Sequence, residues 1–138
     1  RRVVGHLAAG EALIVLGDRN DGPGLDEYEK LFGRSGVEIV MGADRPAAMR
    51  LADPHARAAL AAHPAAPPAT ARFHLRDQGR YLNALLDYIL VSPALAARRP
   101  RWRIWHPFDD PTCFETPELH AALLAASDHF PVSLDIAL

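Results

Sequence analysis

Apolar residues along the chain fall into short runs of two kinds, continuous stretches closed by turn residues and stretches that recur at helical spacing. Residues 12–16 (Ala-Leu-Ile-Val-Leu) form a continuous run stopped by Gly17, which predicts a strand covered on both faces. Before it, residues 3–10 read as the end of a helix. After it, Gly22-Pro23-Gly24 predicts a tight turn, and Leu25, Tyr28, Leu31 and Phe32 then recur at helical spacing up to Gly33. Residues 37–41 read as another strand. Residues 71–75 and 82–91 read as two strands joined through Asp77-Gln78-Gly79, a hairpin signal. Arg101, Arg103 and Trp105 alternate with Trp102 and Ile104, a further strand. Residues 117–126 predict a helix with Pro117 in its first turn and Leu119, Ala122, Leu123 and Ala126 on one face. Residues 131–138 give a final strand.

Between these elements, residues 43–71 are rich in alanine and proline, and only a short helix over residues 54–62 interrupts them. This segment reads as a long surface loop rather than a domain boundary. The 138 residues fit one domain, and 49% hydrophobic content is enough for a core. A net charge of −2 gives no global basic field, so nucleic-acid binding would need a local patch or a metal. A single cysteine, Cys113, excludes an internal disulfide. No apolar run approaches the roughly 18 residues of a membrane span. The start at Arg1-Arg2-Val3, without methionine, reads as the interior of a longer protein, which leaves a cytoplasmic or exported location open.

Three strings place polar chemistry at the edges of apolar strands: Gly17-Asp18-Arg19-Asn20, Asp87-Tyr88-Ile89-Leu90-Val91-Ser92 and Ser127-Asp128-His129-Phe130-Pro131-Val132. A carboxylate in such a setting costs several kcal/mol unless a partner or a metal compensates it. Asp87 has no partner nearby in sequence, and His129 is its best distant candidate. Such a pair fixes the imidazole tautomer and favours its protonated form. Asp18 and Asp128 offer hard oxygen ligands suited to Mg²⁺ or Mn²⁺, and Asn20 offers a donor to a developing oxyanion. Taken singly, Asp18 and Asn20 would suit an ordinary turn, and His129 a buried core histidine. Together they make a set for metal-assisted hydrolysis. Arg98, Arg99, Arg101 and Arg103, interleaved with Trp102 and Trp105, read as a solvated strand edge ahead of a phosphate-contacting strip. The other histidines lack metal-ligand spacing, which argues against structural zinc.

In order and context the three strings resemble the C-terminal half of the endonuclease/exonuclease/phosphatase superfamily, which includes deoxyribonuclease-I-like and exonuclease-III-like nucleases, sphingomyelinases and inositol polyphosphate phosphatases. The resemblance spans residues 12–136. It implies an α/β chain forming half of a four-layer sandwich, with a mixed, mostly antiparallel sheet and helices on one face. It implies a phosphodiesterase or nuclease in which Asp18 orients the attacking water and shares the metal, Asn20 contacts the phosphate, Asp87 holds His129, Asp128 helps bind Mg²⁺ or Mn²⁺, and His129 contacts the phosphate. The substrate would be a phosphate ester: nucleic acid, a phospholipid headgroup or a small phosphodiester. The family's first half supplies an asparagine and a metal-binding glutamate. Residues 1–138 would then be the C-terminal portion of one domain, with an incomplete metal site and little activity alone. Its sheet face would be apolar and exposed, so that two copies form a homodimer through it. The competing reading is a non-catalytic binding or assembly module that keeps the half-fold.

Overall fold

The computed structural model describes residues 2–22, 27, 29–61 and 67–137. Among these, β1 (Ile14–Asp18) pairs with β4 (Asp87–Val91), β2 (Ala71–Leu75) with β3 (Arg80–Ala84), and β5 (Arg101–Ile104) with β6 (Val132–Asp135), each pair antiparallel. The helices are α1 (Arg2–Ala8), α2 (Glu29–Phe32), α3 (Gly36–Met41), α4 (Pro54–Leu60), α5 (Pro93–Ala96), α6 (Pro111–Glu115) and α7 (Pro117–Ala126). The α/β class expected from the sequence holds, with the strands divided among three ladders instead of being drawn into one sheet.

The core lies on one face of the β1–β4 ladder. Val15, Tyr88 and Leu90 point there, against Leu7 of α1, Val37 of α3, Leu51, and Ala56 of α4. The opposite face carries Ile14 and Leu16, and Leu16 is 67% exposed. The first strand is therefore covered on one face only, not on both, and its burial alternates with the period of two that a half-covered strand shows.

β4 is bonded along both edges, but by different means. Even-numbered backbone groups face β1, and the pairing continues past the ladder's ends, where Arg19 N donates to Leu86 O and Ser92 N to Leu13 O. Along the other edge no strand among the described residues is hydrogen-bonded to residues 87–89. Asp53 Oδ2 accepts from Ile89 N at 3.1 Å, Thr70 Oγ1 accepts from Leu86 N and Asp87 N at 3.0 Å, and Trp102 Nε1 donates to Ile89 O at 2.8 Å. Ala52 closes the edge by exchanging two backbone bonds with Val91. A buried backbone group left unpaired costs about 1–3 kcal/mol, so these side chains stand in for a missing strand.

Several expectations are corrected. Residues 37–41 are helical, not extended. Ser35 caps α3: its Oγ accepts from Glu38 N, and Glu38 Oε2 accepts from Ser35 N, a reciprocal capping box. Gly42 ends the helix at φ 76°, where a side chain would also crowd Met49 O at 3.2 Å. The strand expected over residues 82–91 breaks at Leu85 and Leu86, because the chain leaves the exposed β2–β3 hairpin there to enter the core ladder. The Tyr88 hydroxyl ties that bend by donating to Leu85 O at 2.7 Å, with Asp21 O also at 2.9 Å, and burial pushes its pKa well above the ordinary phenol value. Residues 43–71 are not a plain surface loop. They contain a 3-10 turn (Ala47–Met49) and α4, and they bury Leu51, Asp53 and Ala56. Residues 62–66 lie outside the described residues, as do Pro23, Gly24, Leu25 and Tyr28 of the predicted turn and helix. In the described part of that helix, Leu31 and Phe32 are exposed and make no packed face. α7 has the predicted bounds, but of its predicted apolar face only Leu123 is buried.

The arginine-rich edge is structural. Arg103 makes a two-pronged ion pair with Asp110 (Nε–Oδ2 2.7 Å, Nη2–Oδ1 2.9 Å) and stacks 3.8 Å over Trp105. That pairing holds the Asp110 carboxyl down at about 2. Arg98 donates to Ala137 O, and Arg101 lies 3.8 Å from Asp135.

Asp53 is 1% exposed, and its Oδ1 also caps α4 by accepting from His55 N and Ala56 N. Asp53→Ala should therefore cost about 2–4 kcal/mol in urea unfolding, since it removes a cap and orphans Ile89 N. A loss below about 1 kcal/mol would show that water replaces the carboxylate.

Candidate functional site

The β1–β4 register sets Asp18 directly opposite Asp87, on the same face as Leu16 and Ile89. Asp18 is the last residue of β1, and its carboxylate closes a turn by accepting from Asn20 N at 2.7 Å. Asn20 sits in the left-handed region at φ 48°, a conformation asparagine tolerates better than most residues. Its backbone is thus engaged at Asp18, and its exposed side chain extends beyond the strand end.

His129 arrives from the other side, on the segment between α7 and β6. Three hydrogen bonds fix that segment. Arg72 N donates to Asp128 O at 2.8 Å and Phe130 N to Thr70 O at 2.6 Å, which together make the Ala71–His129 bridge, and His129 N donates to Ser127 Oγ at 3.0 Å. The Phe73 ring meets the imidazole edge-on, centroids 5.7 Å apart. So held, His129 Nδ1 lies 2.9 Å from Asp87 Oδ2. A carboxylate only accepts, so Nδ1 carries the hydrogen and Nε2 is left for other partners. The hydrogen bond to Asp87 raises the His129 pKa above its ordinary value; the charges of Asp87, Asp18 and Asp128 add to this, and burial opposes it.

Ligand atoms of Asp18, Asp87 and His129 all lie within 4.8 Å of one another. Asp87 and His129 border a cavity of about 360 Å³ whose walls include Leu16, Ile89, Phe130 and Val132. Of the residues singled out from sequence, the structure gathers Asp18, Asp87 and His129, with Asn20 one turn away. Asp128 stands apart: its exposed carboxylate lies 3.5 Å from Ser127 Oγ and borders a different cavity.

Sequence reasoning missed Thr70. It is fully buried, and it joins three parts of the site: its N–H donates to Ala84 O, its hydroxyl oxygen receives Asp87 N, and its carbonyl receives Phe130 N. A lone threonine after a proline-rich tract carries no pattern that announces this. Phe73 was read only as a strand residue, and the edge contact to His129 follows from a pairing no local signal encodes.

Comparison of the chain with family models, with curated proteins and with solved structures returns no match. The site therefore rests on its own geometry.

Because the folded state binds the His129 proton more tightly than the unfolded chain, the pair contributes stability that is fully present below the ordinary imidazole value of about 6.5. That contribution is lost as pH rises through the higher folded-state value. Asp87→Asn should lower the His129 pKa, read from the imidazole carbon-bound proton resonances across pH. An unchanged titration would mean the Asp87 bond does not set the imidazole's charge.

Proposed function

We propose that the protein is a divalent-metal-dependent phosphoesterase of the endonuclease/exonuclease/phosphatase type. The observation that carries this reading is the 2.9 Å Asp87–His129 bond with Asp18 in the same 4.8 Å group. The donor set suits the cation that this reading requires. Two carboxylates directly opposite on a ladder repel each other, and a hard dication bound by their oxygens relieves the repulsion. Asp18 and Asp87 would hold it. Asp128, outside that group, would add negative charge nearby that favours its capture. When bound, Mg²⁺ or Mn²⁺ supplies Lewis acidity toward a phosphoryl oxygen and a lowered pKa for water.

The remaining work belongs to the chain. Asp18, exposed at the end of β1, orients a water and accepts its proton. Asp87 holds the imidazole by Nδ1, so Nε2–H of the imidazolium can donate to a phosphate oxygen as negative charge builds on it. The Asn20 amide, carried beyond the strand end, adds a second donor. Leu16, Phe130 and Val132 give the cavity beside this group an apolar border.

In the full-length protein, hydrolysis of bis-p-nitrophenyl phosphate should depend on Mg²⁺ or Mn²⁺ and stop on chelation. His129→Ala and Asp18→Asn should each lower kcat by about 10²–10⁴-fold. A folded protein inert toward this substrate and toward plasmid DNA with both metals would overturn the reading.

The exposed Ile14 and Leu16 favour a second reading, a non-catalytic assembly module in which a second copy of the chain covers that face; Asp18 and Asp87 lie on the same face, so that dimer and an open hydrolytic site are alternatives. Sedimentation at micromolar concentration should show a dimer that Leu16→Glu converts to monomer. A wild-type monomer throughout that range would remove the dimer.

A further inference from the structure

The described residues contain three buried side-chain nitrogens with no hydrogen-bond partner, and two of them, Arg72 Nε and His106 Nε2, belong to one aromatic cluster. The Arg72 guanidinium lies between two rings, 4.3 Å from the Tyr81 centroid and 4.4 Å from that of Phe108. His106 packs edge-on against Phe108 at 6.0 Å and Phe130 at 4.7 Å. Its Nδ1 accepts from the backbone N–H groups of Phe108 and Asp109, which puts the proton of the neutral ring on Nε2. The ring is 4% exposed, so this N–H is an unpaired donor in the interior.

Arg72, Tyr81, Phe108 and Phe130 border a cavity of about 560 Å³, as do Leu124 and Ala125 of α7. It is not the cavity bordered by Asp87 and His129. Arg72 and Phe73 are successive strand residues, so they point to opposite faces of β2, and Phe73 is the one that meets His129. Phe130 borders both spaces and separates them.

We infer that this cavity is a second binding site, for a small organic oxyanion: a carboxylate or phosphate carried on an aromatic or apolar body. Two rings lie against the guanidinium, and its N–H donors are what it offers to an anion. Stacking holds those donors in place before a ligand arrives, so little side-chain freedom is lost on binding. Burial depresses the His106 pKa, Asp109 opposes this and Arg72 adds a smaller depression; the imidazole packs against Phe108 and Phe130, two of the rings that border the cavity. The rim carries one opposing charge, the exposed Asp128 carboxylate, which directs the ligand's anionic end toward Arg72 and its apolar body toward Phe130 and Leu124. The site needs no metal and does not rest on the hydrolase reading.

Phenyl phosphate, benzoate and inorganic phosphate, each titrated into the metal-free protein, test it by nitrogen–proton NMR of the Arg72 Nε–H group. Phenyl phosphate or benzoate should shift that resonance, and whichever binds more tightly identifies the oxyanion. Inorganic phosphate, lacking the ring, should bind about tenfold more weakly than the better of the two. By calorimetric titration, which does not depend on the Arg72 resonance, Arg72→Gln should weaken binding by about tenfold or more. Tyr81→Leu, on the exposed hairpin and harmless to the core, should weaken it by a smaller factor, while Asp87→Asn leaves it unchanged. The inference fails if neither organic probe moves the Arg72 resonance at millimolar concentration, or if both variants bind as wild type does. It also fails if the shifts map to His129 instead.

Discussion

The second edge of β4 is the constraint on which the rest of the structure depends. β4 is a buried strand with a strand partner along one side only at residues 87–89, and its other backbone groups are met by Asp53, Thr70 and Trp102. Each of those side chains belongs to a different segment, and each brings its segment with it. Asp53 brings α4, Thr70 brings the β2–β3 hairpin, and Trp102 brings β5 and, through it, β6. The core face and the candidate site are thus assembled by hydrogen-bond demand as well as by apolar contact. A few buried polar side chains, fully satisfied, specify the arrangement more narrowly than apolar packing alone would.

The same demand explains where the site sits. Asp87 opens β4, so its backbone is pinned by Thr70 while its carboxylate points to the face opposite the core. Thr70 also receives Phe130 N, one residue beyond His129. The acid and the imidazole are therefore both positioned from one residue, through its hydroxyl and its carbonyl. Asp18 is positioned independently, by the ladder register.

How much of this the sequence discloses depends on whether the determinant is local. The β2–β3 turn, α7 with its leading proline, and the strands around Asp18 and Asp87 are visible because their signals lie within a few residues. Asp87 with His129 was legible for a different reason: a carboxylate in an apolar run demands a partner, and few are on offer. The misreading of residues 37–41 was avoidable, since Ser35 and Glu38 spell a capping box; the short apolar run Val37, Ile39, Val40 and Met41 suits either period. The acceptors on β4 were not legible. Asp53 and Thr70 lie 36 and 17 residues from the groups they satisfy, within a tract whose alanine and proline content suggests a loop. Nor was the separation of Asp128 from the His129 group, because adjacent residues in extended chain point to opposite sides.

One consequence of the side-chain acceptors along β4 concerns pairing errors. A strand that slips by a single residue turns every side chain to the other face. In β4 such a slip would bury Asp87 and Ile89 and expose Tyr88 and Leu90. A ladder of backbone bonds alone tolerates sliding, since each N–H finds another carbonyl. A carboxylate fixed at the start of α4 and a hydroxyl fixed at the end of the hairpin do not slide with it. Asp53 and Thr70 act as registration pins, and the alignment they enforce is the one that keeps an acid outward beside a histidine.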